Sequence, residues 1–516
     1  MTEIDSDTAY ADLPPTKARV LLVSILIVAL CGIVYELIIG TVSSYLMGNS
    51  VYQFSLTIGF FMFAMGVGSY LTRFMGRDLI QSFIVVELAL ALVGGLCSIA
   101  LFLVFPAAPW LYQTVMLGFI FVIGALVGLE IPLLTRVLAA RTGTRKSIAD
   151  VMSLDYVGAL IGAVAFPLFL LPTLGLISSS FAIGLINALV ALVNILWLRD
   201  RLRSPKKLLL ATGAVILTLM LLTLMASRIT AYAQSHLYFD QIVWKKQTPY
   251  QTLVVTNTWQ RGDLRLFIDG NLQFSEMDER RYHEALVHPV MSMPGRVETV
   301  LVLGGGDGLA MREILKYPDV KQIDLVDIDP EMTGLGLNFA PLVRLNEASL
   351  SDPRVTIYNE DAFVFIRRTR QRYDRVIVDF PDPNNEAISK LYSAEFYAML
   401  RARMRGNAVM VTQSSSPFFA RRTYWSIAAT IDSVFGNNSN YQIAIPSFGV
   451  WGFNLAALKS PGRPAGFPVG LSFISEATYA AAEVFPPDIQ RPEEVVVNSI
   501  MDPKLYQQYE KDMRGR

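Results

Sequence analysis

The stretch VETVLVLGGGDGLAMREILKY, residues 297–317, decides the fold of the C-terminal half of the chain. Residues 300–303 form a continuous apolar run, which is typical of a strand buried on both faces. Its last residues have the apolar spacing of a helix. The glycines between them, Gly304, Gly305, Gly306 and Gly308, permit positive φ angles and close approach of a ligand. A strand, a glycine loop and a helix in this order indicate a ligand-binding turn of an α/β sheet.

Further strand patterns lie on both sides of this turn. After it come IDLVDIDP (323–330), VTIYNEDAFVFI (355–366), YDRVIVDFPDP (373–383) and NAVMVTQSSS (407–416). Helical patterns separate these runs, which predicts a parallel, doubly wound Rossmann-like sheet with ligands at the carboxyl ends of its strands. Before the turn, residues 250–275 alternate polar and apolar. They predict a small antiparallel β-subdomain with a turn at Asp269-Gly270-Asn271.

Acidic residues stand at the ends of two of these strands. Asp327 can accept from both hydroxyls of a ribose, and Asp361 can accept from an adenine amino group. Each alone is equally well a turn residue or helix N-cap, but together with the glycine loop they favour a nucleoside site. The loop matches neither a phosphate-binding P-loop nor G-x-G-x-x-G, so a nucleoside is expected rather than a pyrophosphate.

The fourth strand ends in Asp379-Phe380-Pro381-Asp382, with two carboxylates at its mouth. One can hold an ammonium group and the other can take the proton of an attacking amine, which is protonated at neutral pH. Asp278, His283 and Asp307 are expected to face the same cavity. A site this acidic favours a cationic substrate. The alternative is a pair of solvated loop acids.

No metal site is predicted. His283 and His288 are spaced differently from the two histidines of a zinc-binding helix, and the two cysteines, Cys31 and Cys97, both lie in apolar segments. The net charge is 0, which gives no reason to expect nucleic acid as a partner.

The N-terminal half has the composition of a membrane domain. The whole chain is 53% hydrophobic and 17% charged, and the missing charge is concentrated between residues 20 and 227. Seven segments are long and apolar enough to span a bilayer: 19–46, 52–72, 80–105, 109–134, 154–172, 177–198 and 208–226. A multi-pass protein of the cell (inner) membrane, with the lipid bilayer as a partner, is therefore expected.

Lysine and arginine cluster in alternate loops of this half. They occur before span 1, after span 2 (Arg73 and Arg77), after span 4 and after span 6, whereas the loops near 47–51, 106–108 and 173–176 have none. This pattern predicts a cytoplasmic N-terminus. Seven spans would place the C-terminal half outside, and six would place it inside, so its side is left open.

Four acids lie within or beside the spans: Glu36, Glu87, Glu130 and Asp155. Carboxylates at membrane depth are costly and usually face a bundle interior or a watery cavity. They indicate either a cavity for a cation or structural, hydrogen-bonded acids.

The predicted organisation has five parts: an N-terminal tail at 1–18, a transmembrane domain at 19–227, a linker and β-subdomain at 228–280, the Rossmann-like domain at 281–460 and a helical C-terminal extension at 461–516.

Residues from about 240 to 460 resemble spermidine synthases, the polyamine aminopropyltransferases. The matching pieces are Tyr250-Gln251, Asp269-Gly270 with Gln273, Asp278-Glu279 before Tyr282-His283-Glu284, the GGGDG loop, VDID, Glu360-Asp361 and D-x-x-D-P at 379–383. The resemblance implies an S-adenosylmethionine-type fold and transfer of an aminopropyl group from decarboxylated S-adenosylmethionine to an amine, by default putrescine. The donor is a cosubstrate and no bound cofactor is implied. A homo-oligomer is compatible with this layout.

By motif, Asp379 resembles the family's proton acceptor and Asp382 its amine-binding partner. The resemblance implies substrate binding by His283, Asp307, Asp278 and Tyr250, and nucleoside binding by Gln251, Gly304, Gly306, Gly308, Asp327, Asp361 and Ala362.

This chain departs from the family pattern at the acceptor side. Phe380-Pro381 replaces small hydroxyl residues, and Pro446-Ser447-Phe448 stands where the family has P-T-Y, which removes a tyrosine hydroxyl. Two other hypotheses remain: an S-adenosylmethionine methyltransferase on the same fold, and a polyamine transporter or sensor with a non-catalytic nucleoside-binding half.

Overall fold

The computed structural model describes residues 13–47, 50–76, 78–238, 240–258, 262–460, 462–464 and 466–514. Arg77 and most of the predicted N-terminal tail lie outside these residues.

The chain forms two compact units, Met1–Phe239 and Asp240–Arg516. The first unit thus extends beyond the boundary expected near 228, because the last apolar helix continues to Tyr238.

The first unit, which we call the membrane unit, is helical. Its helices are α1 (Pro15–Met47), α2 (Ser50–Leu71), α3 (Leu79–Ala107), α4 (Pro109–Thr142), α5 (Thr144–Ala165), α6 (Leu171–Trp197) and α7 (Pro205–Tyr238), with a wider turn at Phe166–Leu170. Within the residues described, six helical segments are long and apolar enough to cross a membrane. One of the six, Thr144–Trp197, is 54 residues long and covers the fifth predicted span and all but the last residue of the sixth.

The chain reverses its direction within this long segment. The backbone of Gly175 is not helical (φ 74°, ψ 179°). On one side of it, Gly158 packs against Leu26 of α1, and Gly162 packs one turn further along against Leu30. On the other side the order is opposite, since Asn194 donates to Ser24 at 2.8 Å while Ile183 lies beside Cys31. α5 and α6 therefore run antiparallel, and the number of crossings stays a prediction.

Glycines bring the helices of the membrane unit close together. A Cβ atom on Gly68 of α2 would lie 2.0 Å from the carbonyl oxygen of Ala125 in α4. Such backbone contact is the usual way in which small residues pack membrane helices. Glu36, Glu87 and Glu130 are buried in this unit.

The second unit, the soluble unit, begins with a four-stranded antiparallel sheet in the order β1-β2-β3-β4, formed by β1 (Gln241–Gln247), β2 (Thr252–Asn257), β3 (Leu264–Ile268) and β4 (Asn271–Ser275). The expected turn joins β3 to β4. Asp269 and Gly270 both have positive φ angles, 47° and 80°, as a tight two-residue hairpin turn requires.

A seven-stranded sheet follows in the order β10-β11-β9-β8-β5-β6-β7. Its strands are β5 (Thr299–Gly304), β6 (Gln322–Asp327), β7 (Val355–Asn359), β8 (Tyr373–Asp379), β9 (Met404–Gln413), β10 (Asn438–Ile445) and β11 (Gly449–Ala457). The first five are parallel, as predicted. The sheet is mixed, however, because β10 and β11 form an antiparallel hairpin on the edge next to β9.

The helices of the soluble unit are α8 (Glu279–Met291), α9 (Leu309–Ile314), α10 (Pro330–Asn338), α11 (Ala340–Leu345), α12 (Ala362–Arg368), α13 (Glu386–Ser389), α14 (Ala394–Ala402), α15 (Arg421–Phe435), α16 (Glu476–Ala482) and α17 (Lys504–Arg514). The strand order reverses between β5 and β8, where Gly304 pairs with Asp379. Such a switch point opens a crevice at the carboxyl ends of the strands.

Candidate active site

A cavity of about 670 Å³ lies at this switch point. Its walls include the last residues of four strands: Gly304 of β5, Asp327 of β6, Asp379 of β8 and Gln413 of β9. Six carboxylates line it, from Asp269, Asp307, Asp327, Asp361, Asp379 and Asp382, beside His283 and Lys390. The cavity is therefore acidic, as expected for a cationic substrate.

The glycine loop packs directly against these carboxylates. A Cβ atom on Gly304, whose φ is 81°, would lie 2.1 Å from the backbone oxygen of Asp379. The N–H of Gly306 donates to Asp327 Oδ2 at 3.0 Å, and the N–H of Asp329 donates to Oδ1 at 2.9 Å. Burial raises the pKa of Asp327 to about 6, and these backbone donors oppose the shift. The loop thus fixes both oxygens of Asp327.

Asp361 has one of the two roles that the sequence left open, that of a helix N-cap, and its role toward a nucleoside stays a prediction. It is the N-cap of α12, accepting from the N–H of Phe363 at 2.7 Å, and its other oxygen accepts from Lys390 Nζ at 2.7 Å. Asp361 and its neighbour Ala362 also line the cavity. We call Gly304, Gly305, Gly306, Asp327 and Asp361 the glycine-loop group.

Two other residues predicted to bind the nucleoside or substrate also line the cavity. Gln251 donates to Asp329 Oδ2 at 3.0 Å, and Tyr250 is 54% exposed. Gly308, in contrast, is outside the lining. It precedes α9 with a φ of 84° and packs against Asn346 and Ser349, so it shapes the helix start.

Asp379 is buried beside a tyrosine hydroxyl. Tyr282 donates to Asp379 Oδ1 at 2.5 Å. Burial raises the pKa of Asp379 to about 6, against the opposing charge of His283, and the nearby charge of Asp307 adds to the rise. A carboxylate with a raised pKa near neutrality is suited to accept a proton.

Asp382 has one occupied oxygen and one free oxygen. Oδ2 accepts from the hydroxyls of Tyr509 at 3.0 Å and Ser415 at 3.1 Å. Oδ1 is buried and has no hydrogen-bond partner among the residues that the structure describes. Burial raises the pKa of Asp382 to about 6, although the side chains of Tyr509, Ser415 and Gln413 oppose this. We call Asp379 and Asp382, with their hydroxyl donors Tyr282, Ser415 and Tyr509, the acid-pair group.

His283 is held by a buried ion network. Its Nδ1 lies 2.9 Å from both the backbone oxygen and Oε2 of Glu279, so the nitrogen donates. Arg312 in turn donates to both carboxylate oxygens of Glu279 at 2.9 Å. Burial alone would lower the pKa of His283, but Glu279 outweighs it and the pKa is raised. The imidazole therefore adds positive character near Asp379 and Asp307.

Asp278 does not face the cavity as expected. It is outside the lining, and its two oxygens accept from the N–H and hydroxyl of Ser447 at 2.7 and 2.8 Å. It thereby holds the turn that carries Phe448, which does line the cavity. A side chain directly before a helix can turn either way, and only the packing of the distant 446–448 turn decides its direction.

Sequence reasoning missed the hydroxyl donors Ser415 and Tyr509 and the aromatic residue Trp451. Tyr282 was visible beside His283 in the matching motif, whereas Ser415 and Tyr509 carried no local signal. Phe448 and Trp451, with ring centroids 5.3 Å apart, line the cavity near Tyr282. They offer an apolar surface for an alkyl chain.

Comparison with known proteins agrees with this geometry. Residues 279–462 match the spermine/spermidine synthase domain. The polyamine aminopropyltransferase of Leptospira interrogans is 42% identical over 95% of this chain and 98% of its own length. The polyamine aminopropyltransferase 1 of Streptomyces coelicolor is 43% identical over 96% of this chain and 94% of its own.

The chain belongs to the polyamine aminopropyltransferase family. It is a transferase of polyamine biosynthesis. The polyamine aminopropyltransferase of Mycobacterium tuberculosis, 35% identical over 96% of both chains, also aligns across both units, so the membrane unit is shared with these relatives. Among solved structures, the spermidine synthase of Thermotoga maritima matches 48% of this chain and 85% of its own, at 23% identity and a TM-score of 0.43.

Proposed function

We propose that this enzyme transfers the aminopropyl group of decarboxylated S-adenosylmethionine to a diamine, by default putrescine, giving spermidine. The amine nitrogen attacks the carbon next to the sulfonium and forms a C–N bond. The C–S bond breaks, and its electron pair neutralises the sulfur and releases methylthioadenosine. The proton lost by the nitrogen passes to Asp379.

The observation that carries this proposal is the acid-pair group. Asp379 has a raised pKa and is held by Tyr282, which suits a proton acceptor for an amine. The free Oδ1 of Asp382 offers an acceptor to the other ammonium of a diamine. Two carboxylates with these separate tasks match a substrate that has one reacting and one anchoring nitrogen.

The glycine-loop group supports binding of the donor nucleoside. Each oxygen of Asp327 already accepts one backbone N–H, and its remaining lone pairs can accept from ribose hydroxyls. The decarboxylated donor has an ammonium but lacks the carboxylate of S-adenosylmethionine. Asp307 and Asp379 would therefore attract the first and repel the second.

The test is release of methylthioadenosine by detergent-purified full-length protein. Decarboxylated S-adenosylmethionine is supplied with putrescine, cadaverine, agmatine or spermidine, and an Asp379→Asn variant runs beside the wild type. Release that depends on Asp379 is the expected result, and the best amine names the acceptor. No release with any of the amines would overturn the proposal, and tighter binding of S-adenosylmethionine than of the decarboxylated donor would favour a methyltransferase.

We also propose that the protein lies in the cell membrane with a cytoplasmic N-terminus, from the lysines and arginines in alternate loops. The side of the soluble unit depends on whether α7 crosses. Because Cys31 and Cys97 are both buried, single cysteines can be added at Ser204, before α7, and at Glu493 in the soluble unit. Labelling of intact cells with an impermeant maleimide should leave Ser204→Cys unmodified. Modification of Ser204→Cys would contradict the orientation, and the result for Glu493→Cys decides the side.

A further inference from the structure

The C-terminal helix α17 contributes to the cavity, although it lies beyond the matched domain, which ends at 462. Tyr509 and Met513 both line the cavity. They are four residues apart and therefore lie on the same face of the helix. One face of α17 thus forms part of the wall beside Asp382.

Contacts away from the cavity hold α17 in place. Asp512 Oδ2 accepts from the N–H of Thr423 at 3.0 Å and from its hydroxyl at 2.9 Å, at the start of α15. Leu505, at the other end of α17, is fully buried in the core that includes Phe396 and Tyr392. The helix is therefore docked by residues that no substrate needs to touch.

Tyr509 determines which oxygen of Asp382 is free. Its hydroxyl and that of Ser415 both donate to Oδ2, so Oδ1 is left without a partner among the described side chains and backbone groups. Two donors on one oxygen fix the rotation of the carboxylate. One donor comes from α17 and the other from the loop after β9, and together they determine where the free oxygen points.

We propose that α17 sets the acceptor specificity of this enzyme: Tyr509 orients Asp382 toward the distal ammonium of a short aliphatic diamine, and Met513 limits the chain length that fits beside it. This inference rests on the proposed aminopropyl transfer. Tyr509 is a positioning residue, since it acts through Asp382. The flexible thioether of Met513 fills space that a longer amine would need.

The test measures kcat and KM for putrescine, cadaverine and spermidine in detergent-purified full-length protein. Tyr509→Phe should raise the KM for putrescine about five- to tenfold, the effect of losing one typical hydrogen bond, with kcat and the donor KM nearly unchanged. Met513→Ala should shift the ratio of kcat/KM toward the longer amines by about tenfold, the scale of a few methylene groups in a pocket.

Two matched variants serve as controls. Tyr506→Phe removes a hydroxyl from the same helix, and Met501→Ala changes a methionine that is 91% exposed; neither residue lines the cavity. Both should leave all constants as in the wild type. If the wild type releases methylthioadenosine, and if Tyr509→Phe and Met513→Ala both keep its KM values and its ranking of the amines, this inference alone is overturned. A wild type that releases none overturns the proposed function instead.

Discussion

The glycine-loop group and the acid-pair group hold their carboxylates with different donors. Both oxygens of Asp327 accept from backbone N–H groups of nearby loops, and Asp361 accepts from the N–H of Phe363 in α12 and from Lys390 Nζ. Asp379 and Asp382 accept from hydroxyls of side chains that are far away in sequence. A backbone donor persists whatever side chain its residue carries, whereas a hydroxyl is lost by a single substitution. The position of the Asp327 carboxylate is therefore tied to the loop backbone, whereas the positions of Asp379 and Asp382 depend on single side chains.

The largest effect should come from the proton acceptor. Asp379→Asn keeps the size and the packing of the side chain but cannot take the proton of the amine, so kcat should fall about 10³-fold. Donor affinity, measured by calorimetry, should stay within the wild-type range. Asp352→Asn, an acid outside the cavity, is the matched control. A loss of less than about tenfold would remove Asp379 from the mechanism.

The second acid of the pair should affect binding more than turnover. Asp382→Asn removes the negative charge opposite the distal ammonium, so the acceptor KM should rise about 10- to 100-fold. The donor KM should not change, because the glycine-loop group is intact. Steady-state kinetics with each substrate varied in turn separates the two. An equal rise in both KM values would show that the two groups do not act separately.

The rate should also depend on pH through the acid pair. Asp379 and Asp382 both have a pKa of about 6, so they are neutral below this pH and become charged as the pH rises through it. Because both carboxylates must be charged, activity at a fixed subsaturating amine concentration should increase about 100-fold from pH 5 to pH 7. A profile without an inflection near 6 would argue that neither carboxylate needs to be ionised.

A smaller effect is expected in the glycine-loop group. Asp327→Asn keeps one carbonyl acceptor, but its amide nitrogen would meet a backbone N–H, so the donor KM should rise about five- to tenfold. The acceptor KM should be unchanged. The opposite pattern, with only the acceptor KM affected, would reverse the assignment of the two groups.

The smallest effect on transfer is expected in the membrane unit. Glu87 is fully buried, and its carboxyl group is paired with that of Glu130 within the membrane unit. Since it lies in the other unit, Glu87→Gln should change methylthioadenosine release by less than about twofold. A measurement of polyamine uptake and export tests whether the membrane acids serve transport. It uses cells whose protein carries Gln or Asn in place of Glu36, Glu87, Glu130 and Asp155. Unchanged flux would leave the membrane unit as an anchor.

Much of the fold and of the nucleoside side could be predicted. The positions of the parallel strands along the chain, the turn at 269–270 and the loop at 304–306 are all local patterns, and they appear where expected. The antiparallel pairing of β10 and β11 was not predicted, because the residues of a strand do not indicate whether it runs parallel or antiparallel to its neighbour. The extension after 460 was expected to be helical, yet α16 and α17 are the only α-helices among its described residues.

By itself, the sequence determined the apolar half, the Rossmann-like half, the acidic strand ends and the family. These features depend on composition and on short motifs whose residues are neighbours in the sequence. Only the tertiary structure decided that Asp278 turns to Ser447, and that Tyr509 and Ser415 meet at Asp382. Residues 382, 415 and 509 come together because α15 and α17 pack against one another and against the sheet, and no local pattern records such a meeting.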